Sequence, residues 1–147
     1  MLVFYRGAWC PYCNVALRSY QLELEPALNE LGATLIAISP QLPDGSLSMK
    51  EKHELSFPVL SDPANALARA LGIVAAPNPE TQAAQLKLGL DVSTQNIDDE
   101  SDLPMPTVLI VDAAGDIRWI DVHPNYTTRS EPGDILDAYT STIGASR

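Results

Sequence analysis

The pattern of apolar and polar positions switches repeatedly between a strand-like and a helix-like period, and the switches mark the elements of this chain. Residues 2–6 are an apolar run that predicts a buried strand. From Pro11 to Leu31 the apolar positions Val15, Leu17, Leu22, Leu24, Leu28 and Leu31 broadly follow helical spacing. Gly32 supplies a stop and Pro26 predicts a kink. Residues 33–39 read as a second buried strand, and Pro40 to Gly45 as a turn-rich link. Ser46 or Ser48 is placed to cap a short helix through His53 and Glu54. Phe57 to Leu60 predicts a short strand, and Asp62 a cap for a helix from Ala64 to Leu71 that stops at Gly72. Residues 73–103 break this rhythm with prolines, a helix from Glu80 to Leu88 and an acidic run at 98–102. The segment reads as an insertion over one face, either a lid or a solvated acidic loop. Regular structure returns with a strand at Thr107 to Val111, a hairpin loop with Gly115 at its positive-φ position, and a return strand at Ile117 to Val122. A last helix from about Pro132 to Ile143, capped by Ser130, turns Ile135, Leu136, Tyr139 and Ile143 inward.

Strands separated by helices predict an α/β fold with a mixed, mainly parallel central sheet between helical layers. A C-terminal β-hairpin and helix close it. The length of 147 residues fits one domain with a real core over residues 1–147. A net charge of −10 argues against nucleic acid or an anionic membrane as partner, since both need basic patches. No apolar run approaches 18 residues, and no charged region precedes an apolar stretch at the start, so the expected location is cytoplasmic. The chain opens already inside a strand pattern, from which a missing N-terminal extension or an unusually late start is expected.

Both cysteines of the chain lie in Trp9-Cys10-Pro11-Tyr12-Cys13, where the first strand hands over to the first helix. Thiol–disulfide chemistry needs a thiolate, and a helix N-terminus favours one through its unpaired N–H groups and partial positive charge. Pro11 suits the first helical position because its missing N–H would be unpaired there anyway. Cys10 is therefore the candidate nucleophile, ionised and accessible. Cys13, one turn on, is the candidate resolving thiol that attacks a mixed disulfide on Cys10. The alternatives are two buried apolar cysteines or half of a zinc site. His53 and His123 lack the spacing to complete the latter, so no metal is expected.

With these residues in view, the chain resembles the thioredoxin-like superfamily, and within it the alkyl hydroperoxide reductase/thiol-specific antioxidant (peroxiredoxin-like) branch. The resemblance is carried by residues 4–13, by Leu103-Pro104-Met105-Pro106-Thr107 running into the strand to Asp112, by Gly115-Asp116-Ile117-Arg118, and by the tail His123 to Pro132. It implies a thioredoxin-like three-layer fold and two mechanisms. In the thioredoxin-like one, Trp9, Cys10, Pro11 and Cys13 match the redox motif, and Met105-Pro106-Thr107 matches a cis-proline element. Pro106 would then shape the partner groove, with the N–H and carbonyl of Met105 free to pair with an incoming peptide. In the peroxiredoxin one, alignment puts Cys13 at the peroxidatic position. Arg6 then stands where that motif has proline, Cys10 where it has threonine, and Pro106 at or near its arginine. The implied activity is thiol–disulfide exchange, or thiol-dependent reduction of hydroperoxides by the same cysteines. The implied partners are protein or small-molecule disulfides or hydroperoxides and a thioredoxin- or glutathione-type electron donor. No cofactor is implied, and a homodimer is compatible. A non-catalytic redox sensor or interaction module is the reading from another class.

Among neighbouring residues, Trp9 is either a platform beside Cys10 or a half-buried aromatic at a strand end. Arg6 either favours the thiolate or pairs with an acid, and the acid partner is preferred. Tyr12 is expected to point outward and shape access. His53 is expected to be solvated. His123, Tyr126 and Arg129 are candidates for the active-site end. No acid in the first strand offers itself as a proton-shuttling base for Cys13.

Overall fold

The computed structural model describes residues 1–144. Its sheet has the order β3-β2-β1-β6-β7, with β1 at Leu2–Phe4, β2 at Ile36–Ser39, β3 at Val59–Ser61, β6 at Thr107–Val111 and β7 at Ile117–Val122. β1, β2 and β3 run parallel, β6 is antiparallel to β1, and β7 is antiparallel to β6. Four of the five strands therefore point one way, as expected for a mixed, mainly parallel sheet.

The central strand explains its own unbroken hydrophobicity. Val3 and Tyr5 enter one buried cluster, with Leu17, Tyr20, Leu28, Met49 and Ile135. Phe4 enters the other, with Ile38, Ala68, Ile73 and Leu109. Side chains alternate across a strand, so a strand covered on both faces has to be apolar throughout.

The first helical stretch is α1 at Pro11–Ser19, a π-helical turn at Tyr20–Leu24, and α2 at Glu25–Glu30. The irregularity sits where Pro26 predicts it. Proline has no N–H for the carbonyl of Leu22 four residues earlier, and its ring crowds that carbonyl. The turn before it widens, and the Glu25 N–H donates to Tyr20, five residues back. The buried face is Cys13, Leu17, Tyr20, Leu24 and Leu28. Val15 and Leu22, included by the sequence spacing, instead face solvent at 71% and 59% exposure.

Two expected caps are corrected and a third is refined. α3 starts at Pro43 and runs to Lys52, so neither Ser46 nor Ser48 caps it. Ser46 Oγ bonds Ser61 Oγ at 2.9 Å instead. Asp62 does cap, but from farther away. A 3₁₀ turn at Pro63–Asn65 takes Ala64 and Asn65 to positive φ, and α4 spans Ala66–Ala70. The Asp62 carboxylate then accepts from the Leu67 and Ala68 N–H groups at 3.0 and 3.1 Å. Glu131, not Ser130, stands at the start of α6 (Pro132–Thr142).

The 73–103 segment is stapled at its stem by β4 (Val74–Ala75) pairing antiparallel with β5 (Leu103–Pro104). It carries α5 at Pro79–Lys87, capped by Asn78 accepting from the Thr81 N–H at 2.7 Å. Its far end is tied to the link after β2: the Leu42 N–H donates to Gln95, and Ile97 to Pro40. Among the described residues no helix is long and apolar enough to cross a membrane.

Candidate active site

Cys10 is the N-cap residue of α1, in extended conformation at φ −88° and ψ 114°. The turn before it is closed by Cys10 N–H donating to the Gly7 carbonyl at 3.1 Å. Asn14 locks the corner by donating its side-chain N–H₂ to the Ala8 and Cys10 carbonyls at 2.7 and 2.8 Å. Asn14 Oδ1 meets His53 Nε2 at 2.5 Å, and the His53 carbonyl accepts from Arg18 at 2.8 Å. His53 is thus a buttress of the corner, not a solvated residue. Sequence spacing misses this because α3 brings it in from 39 positions away.

Gly7 is needed for the shape of the corner. A Cβ there would lie 2.3 Å from Trp9 Nε1. Gly7→Ala should therefore displace the indole and cost about 1–3 kcal/mol. A shift in Trp9 fluorescence in a Trp119→Phe background, with a lower thermal midpoint, checks this.

Both cysteines are free thiols, and both are buried: Cys10 is 1% exposed and Cys13 0%. The expectation of an accessible Cys10 sulfur is corrected. Its position at the helix start is as expected, but the tail at 123–131 folds against it. Arg129 Nη2 stands 3.1 Å from Cys13 Sγ and 4.0 Å from Cys10 Sγ. Arg129 Nη1 is anchored on the Tyr126 and Thr128 carbonyls at 2.5 and 2.7 Å. The Tyr126 ring lies edge-to-face on Tyr12, with centroids 6.1 Å apart. Arg6 sits between two aromatic faces, 4.3 Å from the Tyr126 ring and 5.0 Å from Trp9. It is a cation–π bridge from corner to tail, and its charge favours the Cys10 thiolate as one alternative had it, while the preferred acid partner is not found among the described residues.

The two sulfurs divide their chemistry. Cys10 is pushed down to about 6, first by the Cys13 thiol donating to it. The Cys13 N–H and the charges of Arg6 and Arg129 add to this, against the cost of burial. Cys13 is pushed up, first by its own burial and then by its hydrogen bond to Cys10. The guanidinium is nearer to Cys13, yet the thiolate belongs to Cys10. Arg129 therefore neutralises the pair, while the proton stays on the deeper sulfur.

Two grooves flank the tail. One of about 670 Å³ runs between α1 and the tail, past Tyr12, Val15, Ala16, Thr127, Thr128 and Arg129. The other, about 290 Å³, lies beyond Tyr126 and includes Arg6, Asn78, Met105 and Pro106. Pro106 and Thr107 also line an enclosed void of about 10 Å³ behind Cys13. The structure thus gathers Arg6, Trp9, Cys10, Pro11, Tyr12 and Cys13 with the tail. Met105, Pro106 and Thr107 form the far wall.

The cis-proline element is overturned. Among the described residues every peptide bond is trans. Nor is Met105 free to pair with a peptide. Its N–H donates to Ile73 at 2.7 Å, and its carbonyl accepts from Thr107 Oγ1 at 2.8 Å. The stem of the inserted segment occupies this edge.

Arg129, named with His123 and Tyr126 as a candidate for the active-site end, is the residue that reaches both sulfurs, whereas alignment on the cysteines put the arginine position near Pro106. The signal for it was scarcity. The chain has only 9 Lys and Arg against 19 Asp and Glu, and this arginine lies in the one stretch between β7 and α6 that can fold back onto Cys10.

Solved structures with the same fold include the AhpC of Enterococcus faecalis, with TM-score 0.71, 18% identity, and coverage of 99% of this chain and 75% of that one. The reduced Prx3 of Vibrio vulnificus in complex with hydrogen peroxide gives 0.72, 19%, and 93% and 77%. The peroxidoxin BcpB of Mycobacterium tuberculosis gives 0.69, 17%, and 99% and 78%. No match is found among curated proteins. The model of the AhpC/TSA family matches residues 1–120, and the free thiol pair at the start of α1 lies inside that span. The chain belongs to the AhpC/TSA family of antioxidant thiol oxidoreductases.

Proposed function

We propose that the protein is a thiol-dependent peroxidase in which Cys10 is the attacking thiolate and Cys13 resolves it within the same chain. The observation that carries this reading is Arg129, with its guanidinium 4.0 and 3.1 Å from the two sulfurs at a helix start. The Cys10 thiolate attacks one peroxide oxygen and becomes a sulfenic acid, and the other oxygen leaves as alkoxide or hydroxide and takes a proton. Cys13 then displaces hydroxide from the sulfenic acid, giving the Cys10–Cys13 disulfide and water. An external thiol donor of the thioredoxin or glutathione type restores both thiols by exchange.

Burial favours this reading over general disulfide exchange as the main activity. A hydroperoxide is far smaller than a protein disulfide and needs less opening at the 1%-exposed Cys10. A protein disulfide needs an exposed sulfur and a free backbone edge, and Cys10 is 1% exposed while Met105 is already paired. Exchange is therefore assigned to the regenerating half, after the tail has opened. Two free thiols and no other cysteine suit a reducing compartment such as the cytoplasm. The test compares hydrogen peroxide consumption with insulin reduction, both with dithiothreitol as donor. Faster peroxide turnover, lost in Cys10→Ser, is expected. Insulin reduction without peroxide turnover would restore the exchange reading.

A further inference from the structure

Beside Cys13, and sharing Ala16, Tyr20, Arg129 and Ser130 with the groove along α1, the void is also lined by Thr107 and His123. Its volume of about 10 Å³ is close to what one water molecule needs. On its far wall His123 Nε2 stands 3.0 Å from Asp121 Oδ2, and Nδ1 stands 2.8 Å from Thr128 Oγ1. Ser130 Oγ donates to the same Asp121 oxygen at 2.8 Å.

The hydrogen bonds of this cluster can be counted. The Thr128 hydroxyl has two outlets, the Asn125 carbonyl at 2.9 Å and His123 Nδ1 at 2.8 Å. When it donates to Nδ1, the imidazole is neutral and Nε2–H donates to Asp121. When it turns to Asn125, Nδ1–H donates to Thr128 Oγ1, Nε2–H still donates to Asp121, and the ring is an imidazolium beside a carboxylate. One hydroxyl rotation lets the cluster take up or release a proton while every ring nitrogen keeps its partner. The His123 and Asp121 side chains are 21% and 39% exposed, so the cluster joins the enclosed void to solvent.

We propose that the Asp121–His123 pair is the proton station for Cys13, reached through the void. The proposal rests on the two-thiol mechanism above and supplies the base that the first strand lacks. As Cys13 Sγ bonds to the sulfur of oxidised Cys10, its S–H bond breaks and the proton passes to His123. The hydroxide or thiolate leaving Cys10 is protonated in turn, from the station or from solvent, so no oxidant or reductant is added. The void that the station opens onto is faced by Arg129 from the tail and by Cys13 and Tyr20 from the first helical stretch, with Glu131 close enough to act on Tyr20. Burial holds the Tyr20 phenol protonated, and it donates to the Ser130 carbonyl at 2.6 Å.

The experiment mixes reduced protein with one equivalent of hydrogen peroxide, quenches in acid at intervals, and counts sulfenic and disulfide forms by mass. In His123→Gln and in Asp121→Asn, disulfide closure should slow about tenfold or more relative to Cys10 oxidation in the same time course. Its pH profile between 5 and 9 should flatten, which a purely structural defect would not produce. Closure with wild-type rate and profile in both variants overturns the station and leaves the two-thiol mechanism standing. A wild-type protein that forms no Cys10–Cys13 disulfide overturns both.

Discussion

Arg129→Met is expected to slow oxidation of Cys10 by hydroperoxide about 100-fold, the scale of removing one charged donor aimed at developing charge in a buried site. Three effects act together. The guanidinium is one of the charges that favour the Cys10 thiolate. It is also positioned to meet the negative charge that appears on the leaving oxygen. Its bonds to the Tyr126 and Thr128 carbonyls hold the tail closed over the site, so water enters when they are lost. Arg129→Lys should recover only part of the rate, because an ammonium is a point charge and cannot span two carbonyls and two sulfurs. Stopped-flow oxidation at fixed pH checks this. A methionine variant within a factor of two of wild type would remove Arg129 from the chemistry.

Cys13→Ser separates the first turnover from the rest. The variant should consume one equivalent of peroxide per chain and then fall at least ~100-fold in turnover, because no thiol remains to close the disulfide. Cys13→Ala, which unlike serine keeps no side-chain donor, should also react more slowly with the first equivalent near neutral pH. The Cys13 thiol is the largest cause holding Cys10 down to about 6, so without any donor there Cys10 moves back toward the ordinary thiol value of 9.0. Undiminished multiple turnover would mean that an external thiol resolves Cys10 directly.

The fold was largely legible because its signals are local. The apolar run at 2–6, of which Leu2–Phe4 is strand, the stops at Gly32 and Gly72 and the Gly115 hairpin each fix a backbone conformation within a few residues. Half of the site was legible too, since a strand handing Cys10 to a helix through Pro11 is also a local pattern. The rest depends on distant contacts. Arg129 reaches Cys13 across 116 positions, and His53 reaches Asn14 across 39. No spacing rule joins such residues. The expectation of a free edge at Met105 failed for a related reason. The peptide-binding edge it belongs to is occupied here by the β4–β5 stem, whose pairing joins residues about 30 apart. Exposure of Cys10 was misjudged because the helix start was considered without the tail that folds over it.

The pH dependence of Cys10 oxidation tests the account most directly, read by stopped flow through Trp9, which packs against the Cys10 cluster. A thiolate held by the helix start, by Cys13 and by two guanidinium groups predicts a rate that rises with pH through a midpoint near 6 and is flat above it. At pH 7 that rate should exceed the rate of a free thiol. A midpoint near 9, with a rate at pH 7 no faster than free cysteine, would contradict it.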